Sequence, residues 1–268
     1  MPIRIDADLR PLGQAEFGDI AYRVMDHVFQ VRRELGRLFD EDVYQIEVAR
    51  RLPGSRIEVP VVAWFDDFQK EYFLDLWVAP GAIFEFKAVE QLHPRHRAQL
   101  LNYLLLTGSS HGKLVNLRPE RVEHEFVNTS LTWADRVRFE VDVSQWSELN
   151  AAKPGLREWL ESCLRDWGTG LDVELYEDAV THFFGGRERV DGTTDVIVQS
   201  RRVGNQSVRL AGPGASFQVT TIDPSHLTRY AEFLQRFLDH TALDALQWIN
   251  VHRSRVTFTT LRNGIERG

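Results

Sequence analysis

The sequence predicts a mixed α/β fold, and three observations carry that prediction. Apolar residues recur at helical spacing up to about residue 51. The period then changes to that of strands, with β-branched and aromatic residues between Ile57 and Val89. A helical stretch beginning near Pro94 separates those strands from two more. Helices, a strand meander, a helix and further strands in that order make the class mixed α/β.

Each element has its own signal. Residues 15–35 place Phe17, Ile20, Ala21, Val24, Val28, Val31 and Leu35 along one face, and Gly36 closes the run. A second helix is expected from Glu41 to Arg51, ending before Pro53-Gly54. Ile57 to Phe65 reads as a strand, Asp66 to Lys70 as a turn, and Tyr72 to Val78 as the returning strand. Pro80-Gly81 marks a second turn and Ala82 to Val89 a third strand. Pro94 suits the first turn of a helix running to about Thr107. Lys113 to Leu117 and Val122 to Val127 complete this half as strands.

The bulk composition narrows the class. The chain has 268 residues, 43% hydrophobic and 26% charged, enough apolar material for a core without staples. The single cysteine, Cys163, excludes an internal disulfide and points to a reducing compartment. It shares a helical face with Leu156, Trp159, Leu160 and Trp167, so a core thiol is expected. The N-terminal stretch lacks the apolar run of a secretory signal, and the longest apolar stretch, Leu100 to Leu106, is too short to span a membrane. A cytoplasmic protein with no membrane partner is expected. A net charge of -7 argues against tight nonspecific binding of nucleic acid, although His93-Pro94-Arg95-His96-Arg97 forms a local basic patch. His93, His96, His111 and His124 lack zinc-like spacing and read as surface residues, and Gly204, Gly212 and Gly214 as turn residues.

The second half repeats the first. Pro80-Gly81-Ala82-Ile83-Phe84 is matched by Pro213-Gly214-Ala215-Ser216-Phe217, Asn116, Arg121 and Val122 by Asn250, Arg255 and Val256, and Tyr44 by Tyr176. Helices over 156–167, 172–184 and 225–240, and strands over 194–201, 206–211, 215–222, 247–252 and 255–261, fall in the same order. A repeat this long implies a domain duplication rather than a solenoid. The expected organisation is a domain over 1–128, a linker over 129–153 and a second domain over 154–268, paired as a pseudo-dimer within one chain and compatible with a monomer.

One constellation carries chemistry. Glu85 and Lys87 lie two apart on the third strand and so share a face, and Asp75 on the neighbouring strand can face the same way. Two carboxylates and an ammonium on an otherwise apolar sheet are costly unless paired or metal-bound. Carboxylate oxygens suit Mg²⁺ or Mn²⁺, and phosphodiester cleavage needs a cation at a non-bridging oxygen and an activated water. Lys87 is placed to orient or help deprotonate that water. The plain alternative is a cross-strand ion pair on a solvated sheet face. Gln99 and Tyr103 lie four apart on the following helix, and Glu41 on the second helix offers a further acid.

These residues come in an order that resembles a known family. Arg33-Glu34-Leu35-Gly36, Glu41-Asp42-Val43-Tyr44, Phe73-Leu74-Asp75-Leu76, Glu85-Phe86-Lys87-Ala88-Val89-Glu90 and Gln99-Leu100-Leu101-Asn102-Tyr103 resemble the GxxExxY family of the PD-(D/E)XK nuclease superfamily. The last stretch is similar to the Gln-x-x-x-Tyr motif of RecB-type exonucleases. The resemblance covers about residues 20–127 and implies a restriction-endonuclease-like core. It implies Asp75 and Glu85 as metal ligands with the Phe86 carbonyl, Lys87 as the catalytic lysine, and Glu41, Gln99 and Tyr103 as supporting residues. It departs from the family at Leu38, where the naming glycine is expected.

The implied function is Mg²⁺- or Mn²⁺-dependent hydrolysis of nucleic acid, DNA ahead of RNA, by the first half. A binding module for nucleic acid or protein that keeps the fold without turnover stays open as the alternative. In the second half, Asp75 falls on Val208, Glu85 on Gln218, Lys87 on Thr220, Gln99 on Glu232, Tyr103 on Arg236 and Glu41 on Val173, so this copy is expected to lack catalysis.

Overall fold

A computed structural model describes residues 2–149 and 155–264. The chain divides into two compact units, Met1–Trp133 and Ala134–Gly268.

The first unit contains β1 (Ile3–Ile5), α1 (Gln14–Leu35), α2 (Glu41–Arg50), β2 (Ser55–Phe65), β3 (Phe68–Val78), β4 (Ala82–Lys87), α3 (Pro94–Thr107), β5 (His111–Asn116) and β6 (Glu123–Asn128). Its six strands lie in sequence order in one sheet, antiparallel except where β4 runs parallel to β5. That parallel step needs a crossover, which α3 supplies. On one face, Phe17, Ile20, Val24, Val28 and Val31 of α1 join Tyr44 and Val48 of α2 over Leu76, Phe84, Phe86 and Val115. Because strand side chains alternate, Glu85 and Lys87 must face the other side, where α3 lies. The packing of α3 is close. A Cβ at Gly112 would meet Leu100 Cδ1 at 3.0 Å and Leu104 Cδ2 at 3.1 Å.

Most boundaries agree with the sequence to within a few residues. The first hairpin is tighter than expected. Its turn is only Asp66 and Asp67, with Asp66 at φ 52°, and β3 begins at Phe68.

After a short helical turn, α4 (Trp133–Arg136), the second unit contains β7 (Glu140–Gln145), α5 (Leu156–Trp167), α6 (Val173–Phe183), α7 (Arg187–Val190), β8 (Asp191–Val198), β9 (Arg201–Gly212), β10 (Ala215–Thr220), α8 (Leu227–Asp239), β11 (Ala245–His252) and β12 (Arg255–Arg262). Strands β8 to β12 again lie in sequence order, antiparallel except for the parallel β10–β11 step, which α8 bridges. The sixth strand differs. In the first unit β1 pairs antiparallel with β2, whereas β7 pairs parallel with β12 at the opposite end of that strand order.

The segment expected to link the halves is therefore partly structural. Glu140–Gln145 adds a strand to the second sheet, and Asp142 pairs with Arg255 at 2.6 Å. Its residues are mainly polar and exposed, and its two alternating valines, Val141 and Val143, are too short a signal to set it apart from a linker. Lys153 and Pro154 of the expected boundary lie outside the described residues. For the same reason β9 extends well beyond the expected 206–211. Residues 201–207 are solvent-exposed and leave no periodic trace.

Hydrogen bonds recur at matched positions in the two units. Tyr44 donates its hydroxyl to the Gly36 carbonyl at 2.8 Å, and Tyr176 does the same to Gly168 at 2.6 Å. Both glycines end a helix at positive φ, 77° and 79°. Asn116 accepts from the Val89 N–H and donates to the Val89 carbonyl, and Asn250 does both to Ile222.

Candidate active site

The site lies where β3 and β4 separate. Their ladder consists of Leu76↔Phe84, Trp77↔Ile83 and Val78↔Ala82. Beyond it, Asp75 Oδ2 accepts the Phe86 N–H at 2.8 Å, standing in for a backbone acceptor. This bond fixes the carboxylate beside Glu85. Every residue of β4 is buried, so Glu85 and Lys87 have little exchange with solvent.

Four sequence-selected residues converge. Lys87 Nζ lies 2.6 Å from Glu85 Oε1, 3.2 Å from Glu41 Oε1 and 3.6 Å from Asp75 Oδ2. Glu41 reaches the cluster from the first turn of α2 and also accepts from Gln45 Nε2 at 3.4 Å. Gln45, buried and one helical turn after Glu41, was not singled out from the sequence, although the four-residue spacing was visible there.

Gln99 and Tyr103 form a pair of their own. Gln99 Nε2 donates to the Tyr103 hydroxyl at 3.1 Å. The Tyr103 ring is buried and meets Tyr72 edge-on with centroids 6.2 Å apart. Phe86, expected to lend a carbonyl, presents its N–H to Asp75 and its ring to the α1 core.

The electrostatics are those of crowded acids. Burial pushes Asp75 up to about 6, opposed by the Lys87 charge and reinforced by Glu41. Burial pushes Glu85 well above the usual carboxylate range, and neighbouring Asp75 adds to the shift. Burial disfavours the Lys87 ammonium, but Glu85, Asp75 and Glu41 outweigh it and hold the group above its ordinary value. Burial and the Glu85 charge raise Tyr103 to about 12.

Glu85 is fully buried, and neither of its carboxylate oxygens has an aligned hydrogen bond. The 2.6 Å approach of Lys87 is thus an ion pair without hydrogen-bond geometry. Three carboxylates share one ammonium, so the cluster carries excess negative charge in a place that disfavours it. A hard divalent cation would offset that charge and give the Glu85 carboxylate a partner besides Lys87. No three His, Cys, Asp or Glu residues among those described are arranged to hold a metal by themselves. The fit is to a cation such as Mg²⁺, which takes one or two carboxylates and keeps several waters.

Two expectations are corrected. The solvated ion pair does not apply, because Glu85 has no exposure. His96 is not a surface residue but is 5% exposed, with Nδ1 accepting the His93 N–H at 3.1 Å at the start of α3. Burial, then Arg95 and Lys87, lowers its pKa. Cys163 behaves as expected. It is buried in α5, and burial raises its thiol to about 12.

In the second unit the β9–β10 ladder pairs Leu210 with Ser216 and Arg209 with Phe217. That register puts Val208 and Gln218 where the first unit has Asp75 and Glu85, and Thr220 at the position of Lys87. Thr220 Oγ1 donates to Asn250 at 2.8 Å and accepts from Trp248 Nε1 at 2.7 Å, so it is committed to internal bonds. Asp172 caps α6 by accepting the Glu174 N–H at 3.2 Å. Gly170 stands at φ 84°, whereas Leu38, the residue matched to it in the first unit, is 78% exposed.

Comparison with known proteins gives one match. Residues 18–128 match the model of a family described as the PD-(D/E)XK nuclease superfamily. The matched region runs from α1 to β6 and contains Glu41, Asp75, Glu85, Lys87, Gln99 and Tyr103. No curated protein matches the chain, and no solved structure does.

Proposed function

We propose that the first unit hydrolyses phosphodiester bonds in nucleic acid, DNA ahead of RNA, with a divalent cation held by Asp75 and Glu85. The observation that carries this reading is the buried Glu85 carboxylate with no aligned partner, beside Asp75 and Lys87 at the parting of β3 and β4. The family match over residues 18–128 supports the same chemistry.

Bound there, Mg²⁺ or Mn²⁺ would supply positive charge to a non-bridging phosphate oxygen. The rest falls to the chain. The Phe86 N–H keeps Asp75 aimed into the site. Lys87, whose ammonium is held above its ordinary pKa, acts as a charged donor, orienting the attacking water and offsetting charge on the phosphate. Glu41 accepts from that ammonium and so directs it. Tyr103 stays protonated with its pKa near 12, and Gln99 occupies one of its lone pairs, which leaves its own proton for a substrate oxygen.

The test is cleavage of labelled single- and double-stranded DNA and RNA with Mg²⁺ or Mn²⁺. Parent protein should cut, and Lys87→Ala and Glu85→Gln should not. If the parent cuts none of these substrates, the fold serves as a binding module instead.

We infer also that the second unit arose by duplication and lost the acids. Support comes from the matched strand order and from the Tyr44/Tyr176 and Asn116/Asn250 bonds. No helix among the described residues is long and apolar enough to cross a membrane. The lone buried Cys163 supports a cytoplasmic site of action.

A further inference from the structure

The second unit keeps the opening between its strands but furnishes it differently. The β9–β10 ladder reaches Arg209↔Phe217, and beyond it the Val219 N–H occupies the register position of Phe86. In the first unit that N–H is taken by a strand aspartate, Asp75. In the second, Val208 cannot accept it, and Glu177 of α6 does so with Oε1 at 3.3 Å. Glu177 is 7% exposed and holds Arg209 Nη1 against its other oxygen at 2.5 Å. Burial raises the Glu177 pKa, and Arg209 opposes the shift.

A cleft of about 670 Å³ opens at this point. Its only formally charged lining groups are Glu177 and Arg209, which neutralise each other. A cation finds no spare carboxylate there, and a phosphate finds no spare guanidinium. What remains suits a neutral, flat ligand with a polar edge. Ser216 is 2% exposed, and its Oγ has no hydrogen-bond partner among the described residues. The Gln218 amide is held by the Tyr230 hydroxyl at 3.0 Å and retains its carbonyl oxygen as an acceptor. Val208, Phe237 and Leu246 supply an apolar wall, and Phe233 is 46% exposed at its rim.

We propose that this cleft takes an unpaired nucleobase of a single-stranded nucleic acid, with Ser216 and Gln218 reading its edge and the apolar wall receiving its ring. The proposal rests on the reading of the first unit as a nucleic-acid hydrolase and names what the second unit adds to it, a grip on a base. Base stacking tolerates any sequence, since every base has a π-face. The loss of the acids in this copy then has a consequence, because a carboxylate at Val208 would have kept a cation site and disfavoured the base.

The test uses the full chain carrying Glu85→Gln, in chelator, so that cleavage cannot consume the probe. Fluorescence anisotropy is read with a labelled single-stranded thymidylate oligonucleotide and with an abasic strand of equal length and charge. The base-bearing strand should bind roughly tenfold tighter or better, as one stacked base allows. Val208→Trp, which fills the cleft, should bring the two strands to equal affinity. Ser216→Ala, which leaves the volume unfilled, should narrow the gap by several-fold with circular dichroism unchanged. Equal binding of the two strands by the Glu85→Gln chain overturns the proposal. So does a preference that survives both cleft variants. Parent protein is assayed for cleavage in parallel. Cleavage with no base preference sinks this proposal alone, base preference with no cleavage sinks the hydrolase reading alone, and loss of both sinks the two together.

Discussion

The Lys87 ammonium lies 2.6 Å from Glu85 Oε1, and the carboxylate it faces has no exposure to solvent. This pair holds together a cluster that would otherwise be three acids in an apolar sheet. Removing the ammonium leaves buried charge uncompensated, which typically costs about 3–5 kcal/mol for a fully buried pair.

The first prediction follows from that asymmetry. Lys87→Met should melt below the parent in chelator, with a loss on the order of 2–3 kcal/mol because Glu85 and Asp75 can protonate in response. Mn²⁺ should raise the melting temperature of the variant more than that of the parent, since the cation then replaces the missing charge. Melts with and without Mn²⁺ decide it. An equal response in both proteins contradicts the placement of the cation.

Glu85→Gln should act in the opposite direction. It removes the most deeply buried acid and its repulsion of Asp75, so the metal-free protein should gain or hold stability. Mn²⁺ affinity by calorimetry should fall at least about tenfold, since one of two ligands is gone. Undiminished affinity would move the metal site elsewhere.

The pH dependence has a definite sign. Asp75 sits near 6 in the fold against an ordinary value near 4, raised chiefly by burial. A folded pKa above the unfolded one contributes stability that is present below about pH 4 and is lost as pH rises through about 6. Comparing urea midpoints of the parent and Asp75→Asn between pH 4 and 7 in chelator isolates this part. The parent should lose about 1–3 kcal/mol relative to the variant across that window. Parallel curves would show that Asp75 is not the titrating group.

The repeated tyrosine bond predicts a repeated cost. Tyr44→Phe and Tyr176→Phe each remove a hydroxyl from a helix-ending glycine carbonyl, at 2.8 Å and 2.6 Å. Each should cost about 1 kcal/mol, with Tyr176 costing more because Gly168, unlike Gly36, is buried and its carbonyl cannot turn to water. Denaturation of the two variants measures this. A cost at one site alone would mean that the two loops no longer do the same work.

Much of the molecule was legible before any coordinates. Helix α1 buries one stripe, which imposes a period of 3.6 that can be read off, and β2 to β4 stand out as runs of β-branched and aromatic residues between turn residues. The spacing of Glu85 and Lys87 placed both on one face of β4 because strand geometry leaves no alternative. The outer half of β9 left no signal, since exposed residues are under no pressure to alternate, and β7 left only the short Val141 and Val143 alternation.

By itself, the sequence determined which residue types are available, their faces on each element, and that Val208, Gln218 and Thr220 carry no acid. Only the tertiary structure decided that Glu41 crosses from α2 to Lys87, that His96 is buried, and that Glu177 inherits the backbone N–H which Asp75 holds in the other unit. The physical reason is range. Periodicity reports a residue's relation to its own element, whereas burial, pKa and pairing depend on what distant parts of the chain bring alongside it.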